Sequence, residues 1–306
     1  MFRKSTAATV TTPVTVTAMG TMAITVTVTV RRKENMSKKY MPKSNYVDIH
    51  CHCLPGIDDG PATMPEALAL CQALVDDGIT TAIATPHQLG RFNSCNGGAI
   101  VREKVSSLNE ELKNNGIALT VKPGADVRAD ERICQLLKDD EIITLADGGK
   151  YILLELPHQI FIDIEPLIVE LLSLGVQVII SHPERHFVLG NQDEVLFKWL
   201  NHTANLQVTA GSLIGQFGPA AQKAAWHLLS SGLACLVATD SHDLNGRRPC
   251  MRAAFQCIRG RLGDAVARLV CIDNPSRVLE GRDVVPSHLL STSKLNYEHQ
   301  RVPTSF

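Results

Sequence analysis

From Tyr46 onward, short apolar runs of β-type composition alternate with longer segments whose apolar residues recur every three or four positions. That is the pattern of βα units around a parallel sheet. Seven units are expected, with strands over 46–51, 79–84, 117–122, 151–156, 176–180, 206–209 and 235–238. The first helix carries a capping signature, Thr63-x-x-Glu66, and closes at Asp76-Asp77-Gly78. Further helices are expected over 100–114, 164–174, 194–202, 219–230 and 252–262.

Residues with ligand chemistry fall at the carboxyl ends of these strands. His50 and His52 close the first, His87 follows the second, Asp126 the third, Glu155 the fourth, His182 and Arg185 the fifth, and Asp240 and His242 the seventh. In a ring of parallel strands this rim is where an active site is built, so residues distant in sequence converge there. If the first strand alternates strictly, Asp48, His50 and His52 share one face while Val47, Ile49 and Cys51 take the other. The Leu54-Pro55-Gly56 turn then brings Asp58 and Asp59 back towards the same end. A lone His-x-His is a weak signal, but ligand-type residues at the ends of six of seven strands point to a polynuclear metal centre. Thiol chemistry fits less well. No second Cys pair stands at zinc-ribbon spacing, and Ile57 occupies the place of the arginine in a His-Cys-x5-Arg phosphatase loop.

Composition sets the outer bounds. The chain has 306 residues, 44% hydrophobic and 20% charged, enough for one large domain or two ordinary ones. Nine scattered Cys without a framework spacing, including the inward-looking positions 235 and 257, suggest reduced thiols in a cytoplasmic protein. Eight basic residues and one Glu give residues 1–45 a net +7, which leaves −8 for the rest against a whole-chain −1. An acidic folded part argues against a nucleic-acid surface. The leading segment holds a Thr/Val alternation over 25–30 followed by Arg31-Arg32-Lys33, unlike a secretory or membrane-inserting segment. We expect residues 1–45 to be a disordered basic leader or to precede the true start, since Met36 and Met41 lie just before the first strand. The domain proper spans 46–280, and 281–306 form a polar tail.

The segments Asp-Ile-His-Cys-His-Cys-Leu-Pro-Gly-Ile-Asp-Asp-Gly, Ala-Thr-Pro-His, Leu-Leu-Glu-Leu-Pro, Ser-His-Pro-Glu-Arg, Thr-Ala-Gly-Ser-Leu-Ile-Gly-Gln-Phe-Gly and Thr-Asp-Ser-His resemble, in order and spacing, the PHP (polymerase and histidinol phosphatase) superfamily. Within it, the likeness is to bacterial manganese-dependent protein-tyrosine phosphatases of capsule and exopolysaccharide loci. The resemblance implies an α/β fold, a distorted (β/α)7 TIM-like barrel of the PHP type, holding up to three Mn2+ ions. It implies one ion on His50, His52 and Asp240, a second on Glu155 and His182, and a third on Asp59, His87 and His242, with Asp126 bridging the first two. The family's usual bridge is Glu, one methylene longer, and its second His after Thr-Pro-His is Gln88 here.

Independent chemistry agrees. Mixed imidazole and carboxylate ligands suit Mn, Fe or Zn. Adjacent ions activate water and clamp phosphoryl oxygens. Arg185, with Arg247 or Arg248 after the last ligand, is a candidate for bidentate phosphate contact. The first expectation is therefore a cytoplasmic phosphatase acting on phosphotyrosine of a bacterial tyrosine kinase, without nucleic-acid binding or membrane insertion and with the oligomeric state open. The alternatives are a PHP phosphoesterase for a small sugar or histidinol phosphate, and a non-catalytic metal-binding regulator of a kinase. An amidohydrolase fits less well, because the last strand ends in Asp-x-His and no lysine suited to carbamylation follows the fourth.

Overall fold

The structure, a computed structural model, describes residues 11–16, 24–29, 45–92 and 96–287. Residues 1–43 and 44–306 are separate units. In the first, β1 (Thr11–Val16) pairs antiparallel with β2 (Ile24–Thr29), so the expected leader contains a strand pair over its Thr/Val alternation, a period-two pattern that suits a strand.

The second unit alternates strand and helix. In chain order it contains β3 (Tyr46–Cys51), α1 (Met64–Asp77), β4 (Ile79–Ala84), β5 (His87–Gln88), α2 (Gly98–Asn114), β6 (Thr120–Pro123), β7 (Asp126–Arg128) and α3 (Ile133–Lys138). Then come β8 (Tyr151–Glu155), α4 (Glu165–Ser173), β9 (Gln177–Ser181), α5 (Asp193–Asn201), β10 (Asn205–Thr209), α6 (Ala210–Leu213), α7 (Gly218–Ser230), β11 (Ala234–Ala238), α8 (Met251–Leu262), α9 (Asp264–Arg268) and α10 (Asn274–Leu279). Strands such as Tyr-Ile-Leu-Leu-Glu and Ala-Cys-Leu-Val-Ala are buried along their whole length, as parallel strands covered on both faces must be.

All strand pairs in this unit are parallel, in the orders β3-β4-β6 and β5-β7-β8-β9-β10-β11. β5 and β7 prolong β4 and β6 past Thr85-Pro86 and Gly124-Ala125, which joins the two sheets on one side. On the other side the chain after β11 meets β3: the Asp240 N–H donates to His50 O (2.8 Å) and the His52 N–H to Ser241 O (2.9 Å). Seven strand positions therefore follow one another in sequence order around a distorted (β/α)7 barrel. α1 illustrates how the outer layer is set. Thr63 and Glu66 form the expected capping box, Ala67, Leu70, Cys71 and Leu74 are buried at three- and four-residue spacing, and Gly78 (φ 100°) ends the helix.

Three expectations need correction. The third strand starts at Thr120, not 117, because a left-handed Gly116 and a tight Leu119 N–H to Ile117 O bond occupy the preceding residues. Cys257 is exposed, at the flank of the buried stripe that Met251, Ala254, Phe255 and Ile258 form on α8, whereas Cys235 is buried as expected. Strict alternation fails in β3: its register with β4 shifts between Asp48 and Cys51, an irregularity that re-aims side chains. Val47 and Ile49 join the apolar cluster inside the ring, while Cys51 packs with Tyr46 in the larger core. Among the described residues, no helix is long and apolar enough to cross a membrane.

Candidate active site

Every imidazole and carboxylate singled out at a strand end reaches one region at the carboxyl rim. Ligand atoms lie within 4.8 Å of one another in four overlapping sets: His52, Asp59, His87 and His242; His50, His52 and Asp126; His50, His182 and Asp240; and His87, Asp126 and Glu155. The partition differs from the one the resemblance implied. His182 groups with His50 and Asp240, although its Nε2 also lies 3.8 Å from Glu155 Oε1. His52 stands between the Asp59 set and the Asp126 set.

Local backbone explains how these residues arrive. Gly60 lets the turn after β3 fold back, because a Cβ there would sit 2.5 Å from His52 O. Asp59 Oδ1 then stands 3.4 Å from both His87 Nε2 and His242 Nε2. Gly124 permits the β6–β7 bend, where a Cβ would come within 2.5 Å of Ile83 Cγ2, and the bend delivers Asp126 to the centre. Its Oδ2 is 3.3 Å from His87 Nδ1 and 3.7 Å from His50 Nε2. His182 and Asp240 both adopt left-handed backbone, φ 35° and 53°. For non-glycine residues that costs ~1–3 kcal/mol each, and such strain concentrates at functional sites.

Three histidines have one ring nitrogen held from behind and the other aimed inward. His50 Nδ1 contacts Gln207 Oε1 at 2.9 Å, His52 Nδ1 contacts Asp58 Oδ2 at 2.7 Å, and His242 Nδ1 contacts Asp240 O at 3.1 Å. This outer tethering fixes tautomer and ring direction in metal sites. Asp58 also accepts the N–H of His87 and of Gly60. Asp48 does not join the cluster. Its buried carboxylate accepts the Thr239 N–H (2.9 Å) and hydroxyl, and burial pushes its pKa up to about 6.

Electrostatics separates the groups. Burial would raise Asp240, but His50, Arg247, Arg185 and His242 outweigh it and hold the carboxyl well below the usual range. Asp126 is likewise lowered against its burial by His50, His87 and His182. Burial raises Glu155, with Asp126 adding to the effect. Burial also keeps His52 and His182 well below the usual imidazole value, helped by His242 and Arg185 respectively. A neutral imidazole and an ionised carboxylate are the forms that bind metals.

The fit to cations rests on unsatisfied atoms. Asp126 Oδ1 and Oδ2, Asp240 Oδ1 and His242 Nε2 are buried without a hydrogen-bond partner among the described residues. Leaving such groups unpaired is costly, so this convergent set suits divalent cations. Above it opens a cavity of about 390 Å³ walled by Asp59, His87, Glu155 and His158 and by four arginines, Arg91, Arg128, Arg185 and Arg247. Arg185 and Arg247 both donate to Asp240 Oδ2, Arg247 at 2.6 Å, while Arg128 donates to Glu155 Oε2 at 2.9 Å. Arg185 and Arg247, two of the arginines named from the sequence as candidates for phosphate contact, therefore line the cavity. Arg248 does not: it is exposed and outside this wall, the neighbour whose side chain turns to solvent.

Sequence reasoning missed Arg128, Arg91, His158 and Gln207 as contributors. Arg128 was legible, since it stands two residues after Asp126 on the same strand face. Gln207 offered only the oddity of an amide inside a buried strand. Gln88 turns its amide to the backbone of Asn96 and Ile143, which ties down the segment after β5.

The family described as capsular polysaccharide synthesis, CpsB/CapC, matches residues 46–280. Tyrosine-protein phosphatase YwqE of Bacillus subtilis (strain 168) is 35% identical over 218 residues, covering 71% of this chain and 85% of that protein. A putative tyrosine-protein phosphatase CapC of Staphylococcus aureus is 34% identical over 212 residues, covering 68% and 82%. A solved structure from work on YwqE of Bacillus subtilis and CpsB of Streptococcus pneumoniae, described as unique metal-dependent tyrosine phosphatases, superposes with a TM-score of 0.75. It is 31% identical, covering 78% of this chain and 96% of that one.

Proposed function

Because this chain belongs to the CpsB/CapC family of capsular polysaccharide synthesis, we propose that it is a metal-dependent protein-tyrosine phosphatase acting on a bacterial tyrosine kinase that controls polysaccharide export. Residues 46–280 form the catalytic domain, and it works in the cytoplasm. The observation that carries this reading is the set of buried, unpartnered Asp126, Asp240 and His242 atoms under a cavity with four arginines in its wall.

His50, His52, Asp59, His87, Asp126, Glu155, His182, Asp240 and His242 would hold the metal; their mixed nitrogens and oxygens suit Mn, Fe and Zn alike, and the family resemblance favours Mn2+. When bound, such ions lower the pKa of water and neutralise charge on a phosphoryl group. Arg185, Arg247 and Arg128 orient the phosphoryl oxygens from the cavity wall, with their planar forks matched to two oxygens at a time. Asp58 and Gln207 hold His52 and His50 at the angles that aim their Nε2 atoms inward. Water adds to phosphorus and its protons stay with the released phosphate, the ester P–O bond breaks, and the tyrosine phenolate departs. Its conjugate acid has a pKa of about 10, so it leaves without a dedicated proton donor.

The test is turnover by purified protein loaded in turn with Mn2+, Fe2+ and Zn2+, against a phosphotyrosine peptide, a phosphoserine peptide and histidinol phosphate, beside Asp240→Asn. The reading predicts preference for phosphotyrosine and loss of turnover in the variant. Preference for histidinol phosphate would move the assignment to a small-metabolite phosphoesterase. Metal binding and kinase binding without turnover would move it to a regulator.

A further inference from the structure

The β8–α4 and β9–α5 connections carry large apolar side chains into solvent beside the cavity. Ile160 is 65% exposed, Phe187 is 86% exposed, and Ile162 is also exposed. They are not loosely held. The Phe187 N–H donates to His158 O at 3.0 Å, and His186, buried beneath, donates from Nε2 to Ile160 O at 3.2 Å while its Nδ1 accepts the N–H groups of Val188 and Leu189. Phe161 stacks on the Trp199 ring with an interplanar angle of 4°. The backbone is thus tied at Ile160 and at Phe187, while the side chains of Ile160, Ile162 and Phe187 are exposed.

Their position gives them a use. His158, which accepts the Phe187 N–H, and Arg185, two residues before Phe187, are both walls of the proposed phosphate cavity. Two residues span at most about 7.6 Å of chain, so the Phe187 backbone lies within that distance of a residue of the cavity wall, and Ile160 stands equally close along the chain to His158. A polypeptide that places a phosphotyrosine side chain in the cavity must lie across this rim, with its neighbouring residues about 3.5 Å apart along it. A small metabolite would leave the patch in water, where rigid exposed apolar groups gain nothing.

We propose that Ile160, Ile162 and Phe187 form a docking surface for the phosphoprotein, selecting an aliphatic or aromatic side chain within two residues of the phosphotyrosine. This rests on the phosphatase reading and names the substrate feature it reads. Positively charged walls hold the phosphate, and the adjoining apolar edge takes the flanking residue. Preorganised apolar contacts of this kind add affinity because little ordering is needed on binding.

The experiment uses the full Mn2+-loaded chain and three substrates: para-nitrophenyl phosphate and two phosphotyrosine peptides that differ only in Ile or Ser at the flanking positions. Wild type should favour the Ile peptide in kcat/KM by roughly tenfold, the scale of one large apolar contact. Phe187→Ala and Ile160→Ser should each shrink that preference, while para-nitrophenyl phosphate turnover stays unchanged and Phe187→Leu restores most of the preference. Both positions are exposed, so the fold should tolerate the changes. An equal response to both peptides, or variants that keep the preference, would overturn the proposal. So would a concentration-dependent change in mass on Phe187→Ala, which would assign the patch to a second copy of the chain. Absence of turnover on para-nitrophenyl phosphate would instead remove the phosphatase reading, and fluorescence anisotropy with the same two peptides would still decide the docking question.

Discussion

The two ends of the strand ring are lined by opposite chemistry although the same strands build both. On the amino side of the ligand residues, Val47, Ile49, Ile83, Leu153, Ile179 and Leu236 pack with Tyr151 and with Val278 of α10, and Tyr151 donates its hydroxyl to Arg282 O at 2.8 Å. Towards the carboxyl ends the same strands present His50, Asp126, Glu155, His182 and Asp240, with orphaned oxygens, positive φ at two residues and charges close together. The amino half is what a stable core requires. The carboxyl half is costly without ligands, so the apolar half holds in place an arrangement that would not otherwise persist.

Asp240→Asn should have the largest effect on function, since Asp240 faces His50, His52, His242, Arg185 and Arg247 together. Losing several kcal/mol of charge stabilisation lowers kcat on the order of 10³-fold, measured in steady-state assays beside circular dichroism that shows an intact fold. The mirror experiment is Ile179→Ala in the apolar half. It should cost ~2–5 kcal/mol in denaturant unfolding and leave metal stoichiometry unchanged. An Ile179→Ala protein of wild-type stability, or one that sheds metal, would erase the distinction between the halves.

Asp58→Ala and Gln207→Ala sharpen the boundary, because both act through a histidine. Each should weaken metal affinity by about 10–100-fold, read by calorimetry, with a smaller effect on global stability than Ile179→Ala. The smallest effect is the pH response of the metal-free protein. Burial works against protonation of His87, but Asp126, Asp59 and Glu155 prevail and raise its pKa from 6.5 to about 10. The resulting stabilisation is complete below pH 6.5 and is lost as pH rises towards 10, so the thermal midpoint of chelator-treated protein should fall across that window. Metal competes with the same proton, so its apparent affinity should rise over the same interval.

Most of this comparison was legible along the chain, because parallel strands announce themselves as apolar runs and their carboxyl ends as ligand residues. Seven strand positions and the convergence of His50, His52, Asp59, His87, Asp126, Glu155, His182, Asp240 and His242 could be read that way. What escaped depends on local geometry that periodicity does not encode. Asp48 bonds Thr239 rather than joining the histidine side chains, and the register of β3 shifts just after it. Arg247 and Arg248 are equivalent as letters, and only the backbone after His242 decides that the first faces the cavity. The split of β6 and β7 around Gly124 is a tertiary requirement, set by the close approach of Ile83.

The most direct test of the central claim is anomalous diffraction from crystals soaked in Mn2+. The account predicts peaks among the facing atoms of His50, His52, Asp59, His87, Asp126, Glu155, His182, Asp240 and His242, about 2.1 Å from their nitrogens and oxygens. A map with no peak at the carboxyl rim, or with manganese only on surface carboxylates, would contradict it.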